Sequence, residues 1–292
     1  MSKIIVLGGS GFIGGHLISK LLENNENLIA LKHKNPITLN CNTFNGNILD
    51  SELLDDVIEE NDLVINLVGQ IHENSTNFID ANVFGNLNIL ESCRKKKSNL
   101  ILISSTHVYG NYEKLSPVED DKLIPKSQYG IIKLVNEKIC KHYSSTYNLN
   151  VTILRLSNVY GPSKISGIIA QLFNSIGDKK NSVTLDNNGN QRRDFLYIDD
   201  AVSGIIESIK KIQPGFNIFN ISTGIRTSMM ELAEKIEKIV DDKIPIQLSS
   251  QTPNEESIWA NNEKAKLFLN FSPKISMDQG IFLIFQSFKK RN

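Results

Sequence analysis

Short apolar runs alternate with segments of helical periodicity along the first half of the chain. Residues 4–7 form an apolar run, and after three spaced glycines the apolar residues recur at helical spacing from Phe12 to Leu22. Further apolar runs of strand length follow at residues 28–31, 62–69 and 151–156. Helical spacing recurs at residues 82–94 and 125–140. The pattern predicts strands alternating with helices, beginning with a strand, a tight turn and a helix.

The glycines at positions 8, 11 and 14 occupy that first turn. Gly8 can take a backbone conformation that a side chain would forbid. Gly11 allows a pyrophosphate to approach the main chain, and Gly14 allows the helix to lie close to the strand. The helix would then direct its free N–H groups and the positive end of its dipole at the phosphates. This combination predicts a dinucleotide-binding site.

Two later segments carry the candidate chemistry. The apolar run from residue 100 ends in two serines, which are followed by Thr106 and His107. These polar residues are expected at the edge where a parallel sheet binds its ligand. Tyr129 and Lys133 are four residues apart in a segment with helical spacing, so they share a face. The ammonium is expected to lower the pKa of the phenol, which can then move a proton on a substrate. A second tyrosine and lysine at this spacing, in residues 160–164, enclose a glycine and a proline that exclude a helix.

Taken together, these motifs resemble the short-chain dehydrogenase/reductase superfamily in its extended form, and within it the nucleotide-sugar epimerase, dehydratase and reductase group. The resemblance covers nearly the whole chain. It implies an α/β fold, with a Rossmann-type doubly wound parallel sheet and a smaller C-terminal substrate-binding lobe. Residues 1–160 are expected to form the dinucleotide-binding domain, and residues 161–292 mainly the lobe, with some later segments returning to the first domain.

The resemblance implies a nicotinamide cofactor, NADP or NAD. The residues it implies as cofactor contacts are Gly8, Gly11, Phe12, Ile13, Gly14, Lys32, His33, Asn47, Ile48, Leu67, Val68, Gly69, Tyr129 and Lys133. The second strand ends in the basic residues 32–34, where an NAD-binding protein places an acid on the ribose hydroxyls. A basic end suits the 2′-phosphate of NADP, whereas a merely solvated charge run would give no preference. The hypothesis therefore leans to NADP.

The catalytic hydroxyl of the resembled family lies four residues before the tyrosine of a Tyr-Gly pair, which is Ser105 in this chain. The resemblance makes Ser105, Tyr129 and Lys133 the catalytic residues. Tyr129 would move the proton of a sugar hydroxyl while Ser105 hydrogen-bonds the same oxygen. Lys133 would lower the pKa of the tyrosine and bind the nicotinamide ribose.

The substrate implied by the resemblance is a nucleotide-diphosphate sugar. Its implied contacts are Thr106, His107, Asn158 and Arg193, the last two at the diphosphate. A guanidinium fork such as that of Arg193 suits a pyrophosphate. Family members often carry a second arginine clamp where this chain has Thr252, and this difference puts the grip on the diphosphate in doubt.

Three reactions compete, each with hydride transfer at a sugar carbon, C4 being expected. A 4,6-dehydratase needs an acid and a base directly after the catalytic hydroxyl, where this chain has Thr106 and His107, so dehydration is disfavoured. A 4-epimerase keeps its NAD bound, whereas a 4-keto reductase consumes NAD(P)H and releases it. The basic strand end favours reduction slightly, with the epimerase as the alternative. A non-catalytic dinucleotide-binding regulator is a remote alternative, because it would be expected to lack the tyrosine or the lysine.

In the second half, residues 183–185 and 195–198 are predicted to be strands on either side of a turn at Asn188 and Gly189. Asp199 is predicted to cap the following helix. A homodimer through the two helices near residues 85–95 and 128–143 is a family expectation.

Composition narrows the partners further. The chain has 292 residues and a formal net charge of zero, which gives no reason to expect nucleic acid or an anionic membrane. Its three cysteines are far apart and include no C-x-x-C, so neither a disulfide framework nor a metal site is predicted, and a reducing, cytoplasmic compartment is expected. No apolar segment approaches the ~18 residues of a membrane span.

Overall fold

The computed structural model describes residues 3–69, 78–110, 116–164, 166–176, 182–252 and 257–289. The strands in this part of the chain are β1 (Ile4–Leu7), β2 (Leu28–Lys32), β3 (Asn42–Asn45), β4 (Leu63–Asn66), β5 (Asn99–Ser105), β6 (Val151–Leu156), β7 (Asn158–Tyr160), β8 (Val183–Leu185), β9 (Arg192–Arg193), β10 (Phe195–Tyr197), β11 (Phe216–Ile221), β12 (Thr227–Ser228), β13 (Ile246–Leu248) and β14 (Ser257–Ile258).

The helices of the same residues are α1 (Phe12–Glu23), α2 (Ser51–Val57), α3 (Gly85–Lys96), α4 (Gln128–Tyr147), α5 (Ile168–Asn174), α6 (Ile198–Lys210), α7 (Met229–Val240), α8 (Glu263–Leu269) and α9 (Met277–Lys289). A π-helical turn, Asp80–Phe84, leads into α3, and a 3-10 turn, Thr106–Tyr109, follows β5. Within the described residues, no helix combines the length and the apolar character that crossing a bilayer requires.

Seven parallel strands form the main sheet, in the order β11-β6-β5-β4-β1-β2-β3. From β1, the strands β2 and β3 are added on one side and β4, β5 and β6 on the other. The order of the strands therefore reverses between β1 and β4, and an open α/β sheet binds its ligand at such a point. The predicted Rossmann-type, doubly wound fold is therefore confirmed.

The two faces of this sheet pack into separate apolar cores, because successive side chains of a strand point to opposite faces. In β1, Ile4 and Val6 belong to one core, and Ile5 and Leu7 belong to the other. All four side chains are buried, which explains why the strand is a continuous apolar run rather than an alternating one.

The second half of the chain builds three small sheets and also contributes to the large one. β11 lies at the edge of the main sheet beside β6. The strands predicted at residues 183–185 and 195–198 both exist, although the second ends at Tyr197, and they do not pair with each other. β8 pairs with β13, and β10 pairs with β7. The division of the chain at residue 160 stays a prediction.

The prediction that Asp199 caps a helix is wrong. Tyr197 holds the N-cap position of α6, and Asp199 lies in its first turn. An acid there still interacts favourably with the positive end of the helix dipole, which explains the sequence signal.

Candidate active site

The turn after β1 has the geometry that its glycines predict. Gly8 has a φ of 92°, a conformation that L side chains rarely adopt. The Gly11 amide donates to the Gly8 carbonyl, with an N···O distance of 3.1 Å. A Cβ at Gly14 would lie 2.2 Å from the Gly8 oxygen, so only glycine allows α1 to pack this close to the strand.

A cavity of about 410 Å³ lies beside this turn. Eight of the residues expected to contact the cofactor line it: Gly8, Gly11, His33, Asn47, Ile48, Leu67, Val68 and Gly69. The wall also includes residues that were not predicted as contacts, namely Ser10, Leu31, Lys34, Asn35, Leu49 and Ala81. Lys34 belongs to the basic segment on which the NADP hypothesis rests, whereas the apolar wall residues have no sequence signal separate from that of the core.

Four other predicted cofactor contacts lie outside the cavity wall. Lys32 is exposed, because its side chain points away from the side on which its neighbour Leu31 meets the cavity. Ile13 packs against the apolar core. A Cβ at Gly161 would lie 3.3 Å from the tip of the Phe12 ring, so Phe12 faces the loop after β7. Gly14 contacts the glycine turn and allows α1 to pack against it.

This cavity fits a dinucleotide. No carboxylate is among its described lining residues, and the first turn of α1 carries no acid, so nothing acidic opposes a pyrophosphate at the helix N-terminus. The absence of side chains at Gly8 and Gly11 lets phosphate oxygens reach main-chain N–H groups.

Ser105, Tyr129 and His107 meet at the carboxyl end of β5. Tyr129 is in the first turn of α4, which begins after the N-cap Ser127, and its side chain is hydrogen-bonded with that of Ser105. The Ser105 Oγ also accepts from the His107 amide at 3.3 Å. The His107 and Tyr129 rings meet edge to face, with their centroids 5.6 Å apart. The structure therefore brings three of the predicted site residues into one cluster.

Lys133 connects this cluster to the dinucleotide cavity. Its side chain is buried, and its Nζ donates to the Ile103 carbonyl at 2.8 Å and lies 5.7 Å from the centroid of the Tyr129 ring. A Cβ at Gly69, on the cavity wall, would lie 3.2 Å from the same nitrogen. The absence of a side chain at Gly69 therefore brings the ammonium close to the cavity.

The expected lowering of the tyrosine pKa is not found in this chain by itself. Burial raises the pKa of Tyr129 to about 12, although the hydrogen bond with Ser105 opposes the shift. Burial also lowers the pKa of Lys133 to about 8, partly offset by the nearby Glu137 carboxylate. Both shifts arise because removal from water disfavours the charged form of each group.

A buried ion pair lies behind the cluster of Ser105, Tyr129 and His107, and sequence reasoning missed it. The Arg155 guanidinium and the Glu137 carboxylate are 2.7 Å apart at their closest, and both side chains are almost inaccessible to solvent. Arg155 also donates to the Tyr109 hydroxyl at 2.8 Å, and Ser104 donates to Glu137. The one available signal was that Glu137 follows Lys133 by four residues and so shares its helix face.

The predicted diphosphate contacts are brought together by a different carboxylate. Asp194, completely buried, accepts from the Ser157 hydroxyl at 2.9 Å and from the Gly224 amide at 2.7 Å. Its carbonyl accepts from the Asn158 amide at 3.0 Å. Because Arg193 directly precedes Asp194, these bonds hold Asn158 beside the residue that follows Arg193, although β7 and β9 belong to different sheets. Sequence reasoning did not identify Asp194.

The Thr106 hydroxyl is the remaining predicted substrate contact. It is fully buried and has no hydrogen-bond partner among the residues that the structure describes. Buried hydroxyls are normally paired, so an unpaired one beside Ser105 is consistent with a bound polar ligand.

Several proteins of similar sequence are named for nucleotide-sugar chemistry. The profile of the NAD dependent epimerase/dehydratase family matches residues 4–222. A Methanocaldococcus jannaschii protein provisionally named UDP-glucose 4-epimerase is 32% identical over 99% of both chains. A dTDP-D-glucose 4,6-dehydratase of Dictyostelium discoideum is 31% identical over 81% of this chain and 62% of its own length.

A solved structure extends this similarity to the whole fold. The UDP-glucuronic acid 4-epimerase of Bacillus cereus, in complex with UDP-glucuronic acid and NAD, is 28% identical to this chain with a TM-score of 0.88. The alignment covers 99% of this chain and 100% of that one.

Proposed function

The chain belongs to the NAD dependent epimerase/dehydratase family, and on that premise we propose that it binds a nicotinamide dinucleotide and acts on C4 of a nucleotide-diphosphate sugar. The observation that carries the proposal is the cluster of Ser105, Tyr129 and Lys133 beside the glycine-walled cavity. When bound, the nicotinamide would take a hydride from the sugar carbon or deliver one to it.

Tyr129 is the proton carrier in this proposal. It takes the proton of the sugar hydroxyl as the carbonyl forms, and returns it on reduction, while Ser105 hydrogen-bonds the same oxygen. With a pKa of about 12, the phenol is ready to donate, and acceptance of a proton needs nearby positive charge. The Lys133 ammonium supplies such charge 5.7 Å from the ring. Positioned acid–base groups of this kind contribute roughly 10²–10⁴ in rate.

We favour 4-epimerisation as the net reaction. Two of the similar proteins are named as 4-epimerases, and the solved one carries NAD. Dehydration would need a second acid–base pair directly after Ser105, where Thr106 and His107 stand. Thr106 and His107 are proposed to contact the sugar, and Asn158 and Arg193 the diphosphate.

A second candidate is 4-keto reduction with NADPH, and the wall of the dinucleotide cavity favours it. His33 and Lys34 line the cavity near the end of β2, where the adenosine ribose is expected, and no acid is among the described lining residues. Two basic side chains suit a 2′-phosphate. Replacing both with alanine is expected to weaken NADPH binding and leave NADH binding unchanged. A wild-type preference for NADH would contradict the NADP hypothesis.

One set of assays distinguishes these reactions. The purified protein is denatured and any released nicotinamide is identified by chromatography. The native protein is then given UDP-glucose or UDP-glucuronic acid, and separately NADPH or NADH with a 4-keto-6-deoxy nucleotide sugar. Retained NAD and interconversion of C4 epimers would establish the epimerase. Stoichiometric oxidation of NADPH would establish the reductase. Cofactor binding with no turnover would contradict both and favour the non-catalytic regulator.

We also propose a homodimer through α3 and α4. Ile131 and Val135 lie one turn apart on α4 and are 46% and 37% exposed, and Phe84, just before α3, is 52% exposed. Apolar side chains exposed together are typical of an interface. Light scattering is expected to give a dimer for the wild type and a monomer for Ile131→Glu. A monomeric wild type would contradict this proposal.

A further inference from the structure

A second cavity, of about 190 Å³, lies at the end of β7. The loop after β7, the start of α5 and the end of α9 form its walls. Its lining includes the aromatic residues Phe173, Phe195 and Phe288 and the polar residues Asn158 and Lys164. Asn158 is bound to the Asp194 carbonyl, and Asp194 directly follows the strand that carries Arg193.

Lys164 is an unusual lysine for this protein. Its ammonium donates to the Val159 carbonyl and lies 5.5 Å from the centroid of the Phe12 ring. In the described part of the chain no carboxylate comes within ion-pair distance of it. Surface lysines such as Lys210, by contrast, pair with a neighbouring glutamate. Burial lowers the pKa of Lys164, because an ammonium removed from water loses hydration.

Removing a cation from water without a counter-charge raises the free energy of the folded protein, and an anion bound in the cavity would offset this. The position of Lys164 suits an anion of the substrate. It contacts Phe12, the first residue of the helix whose N-terminus adjoins the dinucleotide cavity, and it shares its own cavity with Asn158. Thr252 cannot supply the cationic clamp expected at its position, which leaves room for a cation from another loop.

We propose that Lys164 binds an anionic group of the nucleotide sugar, and this inference rests on the function proposed above. Two groups of such a molecule have the required chemistry, the diphosphate and the carboxylate of a hexuronic acid. Both accept hydrogen bonds from an ammonium. They differ in which ligands carry them, because UDP and UDP-glucose have only the diphosphate, whereas UDP-glucuronic acid has both.

The test is isothermal titration of the cofactor-loaded protein with UDP, UDP-glucose and UDP-glucuronic acid. Lys164→Met keeps the apolar stem and removes the charge, Lys164→Arg keeps the charge, and Lys210→Met is the surface control. Loss of a charge-assisted hydrogen bond is expected to weaken binding roughly tenfold to hundredfold in Lys164→Met. Lys164→Arg is expected to retain most of the affinity, and Lys210→Met all of it.

The pattern across ligands identifies the anion. Equal weakening for all three ligands assigns Lys164 to the diphosphate, and weakening for UDP-glucuronic acid alone assigns it to the carboxylate. Wild-type affinity of Lys164→Met for all three would overturn the inference while leaving the proposed function intact. A wild-type protein that binds none of the three would overturn the inference for uridine nucleotides and would require the proposed nucleotide-sugar substrate to carry another base.

Discussion

The two sides of the candidate site are held together in different ways. Behind Ser105 and Tyr129, long strands and the twenty-residue helix α4 surround the buried pair of Arg155 and Glu137. On the substrate side, Arg193 lies in a strand of two residues, paired with β12 and β14, which are equally short. The side proposed to be catalytic is thus fixed by long elements around a buried ion pair, whereas the side proposed to bind the substrate combines short strands with the hydrogen bonds of the buried Asp194. A family that varies its substrates around one chemistry would be expected to vary the second side.

Replacing the tyrosine of the catalytic side should have the largest effect on turnover. Tyr129→Phe removes the proposed proton carrier and is expected to lower kcat by roughly 10²–10⁴, because positioned acid–base groups contribute that much to the rate. Cofactor content should not change. The matched control is Tyr147→Phe, at the exposed end of the same helix. Near-normal turnover of Tyr129→Phe would exclude this tyrosine from catalysis.

Breaking the buried ion pair should have the next largest effect, on stability. Glu137→Gln leaves the Arg155 guanidinium buried without a counter-charge, which is expected to lower the free energy of unfolding by about 3–5 kcal/mol. Urea denaturation measures this change. Glu207→Gln is the control, because its ion pair with Lys210 lies at the surface and contributes little. Equal stabilities of the two variants would show that the pair does not hold the catalytic side together.

The carboxylate of the substrate side should make stability depend on pH. Burial raises the pKa of Asp194 from 3.8 to about 6. Between these values the folded chain keeps a proton that the unfolded chain has released, so the contribution of Asp194 to stability falls as pH rises from about 4 to 6. A shift of this size corresponds to about 3 kcal/mol.

Asp194→Asn cannot titrate and isolates this effect. Carboxylates whose pKa is lowered by their partners, such as Glu91 and Asp55, act in the opposite direction in both proteins and cancel in the difference. The stability of the wild type relative to Asp194→Asn is expected to decrease as pH rises through that range. A difference that is constant, or that grows with pH, would contradict the assignment.

The contrast between the two sides also explains what the sequence could predict. The strand, glycine turn and helix at the N-terminus form from adjacent residues, and Tyr129 and Lys133 share a face because of helix geometry alone. These features were predicted correctly. The pairing of β8 with β13 joins Val183 to Ile246, far along the chain, and a strand of three residues carries no pattern that selects its partner.

The electrostatics of the site depend on burial, which the sequence does not display. The motif suggested that Lys133 lowers the pKa of Tyr129. Burial instead raises the pKa of Tyr129 and lowers that of Lys133, and both shifts favour the neutral form of the group. For the same reason Arg155 and Glu137 could not be paired in advance. Each is a charged residue in an otherwise ordinary strand or helix, and only the packing of α4 on the sheet brings them together.

A serine caps the N-terminus of one helix on each side of the site, so the same substitution can be made on both sides. Ser127 caps α4 by accepting from the Gly130 amide at 3.1 Å, and Ser228 caps α7 by accepting from the Glu231 amide at 3.0 Å. Replacing either serine with alanine is expected to lower the free energy of unfolding by about 1 kcal/mol. Urea denaturation of the two variants measures this change.

The kinetic consequences of the two substitutions should differ. Ser127 immediately precedes the helical turn that carries Tyr129, so Ser127→Ala is expected to lower kcat. Ser228 pairs with Arg192, which directly precedes Arg193 in β9. Ser228→Ala is therefore expected to raise the KM for the nucleotide sugar and leave kcat unchanged. If both variants changed the same kinetic constant by the same factor, the two sides would be coupled more tightly than their separate contacts indicate.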